Sequence, residues 1–390
     1  MTQTHNQFVT PEQLAKVSLP LEEACNLPQA AYVSEHIFRQ EAEQLFLKHW
    51  VNVAHVSQVP NPGDYICVDV FDYPLVLTRD KNSDIHLLSR VCQHKGTLVA
   101  AGSGNAKLFV CPFHAWSYEL DGRLKAAPLM DKVKNFDRKN CRLRQMRTEI
   151  WEGFIFVNIS GDAEPLHAQL TGLQKILANW HMADLVPAHD AFYYDQRQNW
   201  KINSESFLEA YHHLGAHVKT FQPTYPAANS YPIESTGRYS VLSFGPAQAE
   251  SATNIDGGMD LPFIETLGEA ERMEPMVVFV WPNLLLGIGA DQVAYYRLMP
   301  TSAESHDLWL NDLMPRSTVA DPGLKQAIRD RVQWARSVHE NDDMPAFARC
   351  QAGIRSPFYE QGRLSVPYER CLWEFNQWWA ERLGERILKG

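Results

Sequence analysis
Between residues 35 and 49, EHIFRQEAEQLFLKH, the apolar residues Ile37, Phe38, Ala42, Leu45 and Phe46 recur at helical spacing with polar residues between them, which predicts an amphipathic helix. Past Pro60 the pattern changes. YICVDVF, LVLTRD, IHLLSRV, KLFVCPF and IWEGFIFVNI are short, rich in β-branched and aromatic residues, and separated by Gly, Asp, Asn or Pro. They predict a small antiparallel β domain over roughly residues 50 to 160. Helical patterns at 165–182 and in ESFLEAYHHLGAHV flank a strand-like FYYDQRQNWKI. Further strands follow at MVVFVW, LLLGIG and QVAYYRLMP, and long helical stretches at 322–350 and 367–388 end the chain. Strands followed by packed helices predict an α+β second domain.

A length of 390 residues and 45% hydrophobic content allow two or three domains with real cores. The net charge of −10 argues against a nucleic-acid-binding surface, which needs clustered Lys and Arg. No apolar run approaches the roughly 20 residues that cross a bilayer, and the opening MTQTHNQFVTPEQ is neither basic nor apolar. The expectation is a soluble, cytoplasmic protein without a membrane partner. The seven cysteines are odd in number and scattered, which fits a reducing compartment and metal ligation better than a disulfide framework.

Chemistry enters at CQHKGTLVAAGSGNAKLFVCPFHAW, residues 92–116. Cys92 and His94 form one tight pair, Cys111 and His114 another, sixteen residues apart. A zinc finger of the usual kind groups its cysteines on one loop and its histidines on another. Here the pairs are mixed, as suits a [2Fe-2S] cluster in which each loop gives a Cys to one iron and a His to the other. Gly96, Gly102, Gly104 and Pro112 suit tight loops whose amides approach sulfide. A zinc ribbon, or four unconnected residues, is the competing reading.

CQH with CPFHAW resembles the Rieske motif of the ring-hydroxylating oxygenase family. Respiratory Rieske proteins carry an additional cysteine in each loop, absent from QHKGT and PFHAW, so the resemblance is to the oxygenase branch, with Trp116 in its usual place.

A second constellation lies in ESFLEAYHHLGAH, residues 205–217, which holds Glu205, Glu209, His212, His213 and His217. Two imidazoles and one carboxylate on one face of iron leave positions open for O₂ and substrate. In a regular helix His213 and His217 share a face more comfortably than His212 and His217, so spacing alone leaves both pairs open. The wording E-A-Y-H resembles the family's E-x-Y-H, and the resemblance implies His212 and His217 as iron ligands, with His213 as the alternative. It further implies that Glu209 bridges His212 to a cluster histidine, His114, of a neighbouring subunit. The third ligand is sought in HENDDMPAFARCQ, residues 339–351, which is similar to the family's late acidic pair followed by Gln. Asp343 precedes Gln351 by eight and is the implied ligand, with Asp342 as runner-up; a solvated helix end is the bland alternative.

The resemblance continues through LPLEEACNLPQAAYVSEHIF, WPNLLLGIGAD and the C-terminal FNQWW. It implies an N-terminal helical segment (1–48) packing on the catalytic domain, an all-β Rieske domain (49–160), and a helix-grip catalytic domain (161–390) in which an antiparallel sheet wraps a long helix, of the Bet v 1/START-like kind. The expected function is a terminal oxygenase, a mono- or dioxygenase, with a [2Fe-2S] cluster, a mononuclear Fe(II) and O₂ as co-substrate. Electrons come from NAD(P)H through a separate flavin and iron-sulfur reductase, with or without a ferredoxin, since the chain shows no dinucleotide fingerprint. A head-to-tail homotrimer is implied. Glu at 209, where most relatives have Asp, resembles the branch acting on carnitine, glycine betaine and similar quaternary amines, whereas Ser206 departs from the family's Asn. Tyr193, Tyr194, Tyr225, Tyr295, Tyr296 and Trp281 could supply an aromatic cage for a methylammonium group. An aromatic acid is the alternative substrate, and a non-enzymatic Rieske electron carrier the alternative class.

Overall fold
The computed structural model describes residues 8–247 and 261–388, so the first seven residues of the opening stretch read for targeting signals lie outside them. Among the described residues no helix is long and apolar enough to cross a membrane. The chain forms two compact units, one from residues 48–163 and the other from 1–47 together with 164–390.

The 48–163 unit is all β. Strand Trp50–His55 pairs antiparallel with Phe154–Asn158, which pairs with Arg147–Trp151. A four-stranded sheet runs in the order Ile85–Ser89, Tyr73–Arg79, Asp64–Val70, Ser103–Asn105, and a smaller sheet joins Phe109–Val110, Ser117–Tyr118 and Leu124–Ala126. Their inward side chains, among them Val76, Leu88, Phe109, Trp116, Tyr118 and Leu143, enclose a core to which Cys92 and Cys111 also belong.

In the larger unit an eight-stranded antiparallel sheet is built around the long hairpin Val293–Ser302 and Ser305–Met314. Helix Arg370–Ile387 buries Leu372, Phe375, Trp379 and Leu383 and packs against the strand Tyr239–Phe244. Sheet and helix together give the α+β, helix-grip class expected. The strand read over FYYDQRQNWKI stops at Gln196. Its last residues instead open a helix, Trp200–Ser206, because the Asn199 side chain accepts from Lys201 N at 2.9 Å and caps it.

The N-terminal segment is part of this core. Helix Glu35–Glu41 runs into a π-turn, Ala42–Phe46. Glu41 is buried against Lys201 Nζ at 2.6 Å, and the indole N–H groups of Trp200 and Trp379 donate to the same carboxylate at 2.8 and 2.6 Å. One carboxylate thus ties the first helices to the middle and last of the chain.

A second buried polar group contributes to acid stability. His306 is fully buried, its Nδ1 donating to Gln198 O at 3.0 Å, and burial pushes it down to about 4. As pH falls below about 6.5 the unfolded chain binds a proton that the folded chain refuses, so stability present at neutral pH is lost. Between pH 7.5 and 5 this one group is expected to cost about 2 kcal/mol. Urea melts of wild type and His306→Gln check it: the variant's midpoint should vary less over that range, and an unchanged slope would refute the assignment.

Candidate metal centres
Two similar turns present the Cys/His pairs. In the first, Cys92 N donates to Thr97 O at 2.9 Å and Gly96 N to Cys92 O at 3.0 Å; in the second, Cys111 N donates to Trp116 O at 2.8 Å and Ala115 N to Cys111 O at 3.0 Å. The fourth residue after each cysteine closes its turn in the left-handed region, Gly96 at φ 76° and Ala115 at φ 57°. Glycine adopts this freely, whereas alanine is strained there and is held by the surrounding turn.

The turns aim sulfur inward and imidazole outward. Cys92 and Cys111 are 2% and 3% exposed, while His94 and His114 are exposed. Cys92 Sγ lies 3.3 Å from Tyr118 Oη, which also accepts from Gln93 N at 3.0 Å. Burial opposes ionisation of Cys111, but amide donation from Phe113 and His114 prevails and lowers its thiol pKa. Opposite the sulfurs, His94 Nδ1 and His114 Nδ1 face each other at 3.1 Å. A tetrahedral zinc site would draw all four donors within about 4 Å of one another. Among the described residues the group of three or more such side chains with ligand atoms mutually within 4.8 Å is His212, His217 and Asp343, and the Cys/His set is not one. A buried sulfur pair and an exposed nitrogen pair, each drawn from two loops, fit a two-iron cluster.

The second site departs from the expected helix over 205–218. Helix ends at Ser206 and a 3₁₀ turn spans Tyr211–Leu214. The cause is local: Glu209 Oε2 captures His212 N at 2.8 Å, the N–H that a continuing helix would direct to Leu208. Helical spacing therefore does not apply, and His213 turns away, its Nδ1 donating to Tyr225 O at 3.0 Å. Burial pushes His213 down to about 4.

His212 Nδ1 meets Glu209 Oε1 at 2.8 Å. Buried His217 is gripped from both sides: Nδ1 meets Asp342 Oδ2 at 3.1 Å and Nε2 meets Asp343 Oδ1 at 3.0 Å. Thr220 Oγ1 donates to Asp342 at 2.7 Å. The structure thus separates the two candidate carboxylates, Asp343 facing His212 and His217, and Asp342 bonding the far nitrogen of His217.

Their separation comes from a π-turn, His339–Asp343, between helices Lys325–Val338 and Met344–Ile354. Pro345 has no N–H for the Asn341 carbonyl, so a regular helix cannot run through this point. Burial opposes ionisation of Asp343, but the hydrogen bonds and charges of His217 and His339 hold its carboxyl well below the usual range. Buried Gln351 accepts from Asn199 N at 2.7 Å and donates to Glu304 at 2.9 Å, which fastens the helix that follows Asp343 to the start of helix Trp200–Ser206. Ser206 donates to Asn203 O at 2.7 Å.

His212, His217 and Asp343 line one end of a cavity of about 190 Å³, whose walls include Phe207, Phe221, Tyr225, Tyr296 and Trp334 and one arginine, Arg331. Of the aromatics read from sequence, Tyr225 and Tyr296 line it. Tyr193 is exposed and bonds Asp307, Tyr194 bonds Glu340, and Tyr295 and Trp281 are buried outside the lining. Arg331, Trp334 and Val338 were legible only as one stripe of helix Lys325–Val338 at i, i+3 and i+7.

Two imidazoles and a carboxylate converging on a cavity suit iron with open positions. The hydrogen bonds at the far nitrogens of both histidines leave each Nε2 to face a metal.

Comparison with known proteins agrees with this geometry. The chain is 28% identical over 362 residues to the carnitine monooxygenase oxygenase subunit of Acinetobacter baumannii, covering 89% of this chain and 90% of that one. It is 24% identical over 393 residues to the glycine betaine monooxygenase oxygenase subunit of Chromohalobacter salexigens, covering 93% and 86%. A solved quaternary ammonium Rieske monooxygenase, CntA, superposes with a TM-score of 0.80 at 24% identity over 96% of this chain and 99% of that one. A Rieske [2Fe-2S] domain matches residues 49–137. With the ring hydroxylating alpha subunit catalytic domain matching residues 183–385, more than half of its length, the chain belongs to the ring-hydroxylating alpha subunits, Rieske oxygenases with a [2Fe-2S] cluster and a mononuclear iron.

Proposed function
We propose that the chain is the terminal oxygenase of a Rieske system acting on a quaternary or methylated amine, with the cluster on Cys92, His94, Cys111 and His114 and the iron on His212, His217 and Asp343. The observation that carries this reading is the convergence of those last three residues on an aromatic-walled cavity. When bound, the iron supplies O₂ activation and substrate oxidation, and the cluster supplies the electrons.

The chain's own residues do the positioning. Glu209 and Asp342 fix the tautomers of His212 and His217. Phe207, Phe221, Tyr225, Tyr296 and Trp334 exclude water and present ring faces to a methylammonium group. Hydroxylation of a carbon bonded to nitrogen gives a product in which the hydroxyl loses its proton to become a carbonyl as the C–N bond breaks, its electron pair leaving with the released amine. The similarity to oxygenase subunits named for carnitine and glycine betaine supports this substrate class. Oxygen uptake with a panel of betaines and aromatic acids tests it, and uptake with the acids alone would replace the amine reading by its alternative.

The reading includes a head-to-tail trimer, with Glu209 of one copy meeting His114 of the next. Exposed apolar side chains flank both centres: Leu98, Val110 and Phe113 beside the cluster loops, and Tyr211, Leu214 and Val218 beside His212. Two different surfaces of this kind suit heterologous ring closure.

A separate reductase is proposed to dock on a basic strip. Residues 123–147 carry nine Lys and Arg against two Asp in a chain of net charge −10. Phe136 of this strip packs on Trp116 at 5.5 Å, and Trp116 stacks on His94 at 5.0 Å, so an acidic donor seated there lies beside the cluster. Reductase-driven turnover is expected to fall steeply from about 0.05 to about 0.3 M salt. Lys132→Glu with Lys134→Glu should raise KM for reductase without altering cluster reduction by dithionite; an unchanged KM would move the docking site elsewhere.

A further inference from the structure
Behind the Asp343 carboxylate stands a third buried imidazole, which neither the ligand set nor the aromatic walls account for. His339 is 3% exposed and lines the cavity. Its Nδ1 lies 3.7 Å from Asp343 Oδ2, within ion-pair reach, whereas His217 Nε2 meets the other oxygen, Oδ1. A ring nitrogen facing a carboxylate oxygen carries the proton, so Nε2 of the neutral His339 ring is an acceptor. That Nε2 is buried and, among the described residues, has no hydrogen-bond partner.

Two more buried polar atoms in the same condition belong to the sheet face on which His339 packs. Its ring lies edge-on to those of Tyr194 and Tyr296, with centroids 5.3 and 6.1 Å apart. Gln196, two residues along the strand from Tyr194, shares that face, and His306 stands opposite Gln196 in the neighbouring strand. Both side chains are fixed by Gln198: its backbone O accepts from His306 Nδ1 at 3.0 Å, and its Nε2 donates to Gln196 Oε1 at 2.7 Å. These bonds leave His306 Nε2 as an acceptor and Gln196 Nε2 as a donor. Both atoms are buried and, among the described residues, unpartnered. Burial first, and nearby His339 with it, hold His306 down to about 4, so its ring is neutral and the two imidazoles lie within electrostatic reach of each other.

One leftover donor and two leftover acceptors match a single water, which has two hydrogens to give and a lone pair to receive. Buried polar groups are normally satisfied, and an internal water typically makes about three hydrogen bonds. We infer that one internal water joins Gln196 Nε2, His306 Nε2 and His339 Nε2, and that His339, oriented by it, is the positioning residue for Asp343. The water accepts from Gln196 and donates to both imidazoles, which directs the Nδ1–H of His339 at Asp343 Oδ2 and leaves Oδ1 to face the metal site. A carboxylate restrained at one oxygen offers a metal one donor rather than two, and a position stays open toward the cavity. The inference rests on the proposed assignment of Asp343 as an iron ligand.

A crystal structure of the iron-loaded full chain tests the water directly: one ordered water within about 3.2 Å of all three nitrogens is expected, and its absence overturns the bridge. The positioning role is read by equilibrium Fe(II) binding to cluster-loaded protein whose mononuclear site has been emptied. His339→Phe, which removes both ring nitrogens, should weaken Fe(II) binding by roughly 10–100-fold. His339→Asn, whose amide keeps a donor where Nδ1 stood, should recover most of that loss. Gln196→Leu lies away from the ligands and should weaken binding less; combined with His339→Phe it should add nothing, since both changes cut one chain of contacts.

Wild-type Fe(II) affinity in a His339→Phe protein with its cluster signal intact overturns the positioning role. Should that variant not fold, Gln196→Leu decides alone, and wild-type affinity there overturns the water-bridged chain. Fully additive losses in the double variant do the same. Asp343→Ala separates this inference from the reading beneath it. Binding lost in Asp343→Ala but kept in His339→Phe removes the positioning role and leaves the ligand assignment standing, whereas binding kept in both removes the assignment and the role together.

Discussion

An Asp343→Ala enzyme is expected to keep its cluster and lose its mononuclear iron. Asp343 is the one carboxylate in the His212/His217 group, and on the proposed assignment only two imidazoles would remain without it to hold the metal. Iron content should fall from about three to about two per chain, with the rhombic signal of the reduced cluster intact. Turnover should drop by more than the roughly 100-fold that marks loss of a ligand's hydrogen-bond partner. Asp342→Asn is the matched control, since Asp342 only orients His217; its loss should stay within that roughly 10–100-fold range. Full iron content in Asp343→Ala would show that another residue is the ligand.

Glu209→Gln should produce the opposite dissociation, both centres loaded and the traffic between them stopped. The Glu209 carboxylate holds His212 Nδ1 and His212 N at once. Burial opposes its ionisation, but the charge and hydrogen bonds of His212 keep its pKa low. With an uncharged amide there, cluster re-oxidation in a single turnover with substrate and O₂ is expected to slow by roughly 100-fold, at unchanged iron content. Re-oxidation at the wild-type rate would remove Glu209 from the electron path.

The cluster loops were readable because tight turns fix their spacing: each cysteine and histidine belongs to one turn closed four residues after the cysteine, and no distant contact is needed to place them. The histidine segment was harder. Its 3.6-residue periodicity favours His213 with His217, and only a side chain capturing its own backbone, Glu209 on His212 N, removes that face. Adjacent Asp342 and Asp343 cannot be told apart by spacing, since a π-turn next to Pro345 decides which one points inward.

Neighbouring residues on a strand diverge for the opposite reason. Tyr296 lines the cavity and Tyr295 does not, as strand alternation requires, but the sequence does not say which face is the cavity. Arg331 was hidden as one polar position of an amphipathic helix. The basic strip at 123–147 was masked by a whole-chain charge of −10. Both became visible only when burial and neighbours were known.

The cluster-bearing unit begins and ends on paired neighbours, Trp50 opposite Asn158, and is inserted in sequence between residues 47 and 164 of a catalytic unit whose opening helices depend on Glu41 meeting Lys201, Trp200 and Trp379. A ribosome therefore releases the whole inserted unit while its host still lacks its sheet and final helix. Since units emerging early fold early, the two cysteine-bearing turns can close before the second cavity exists.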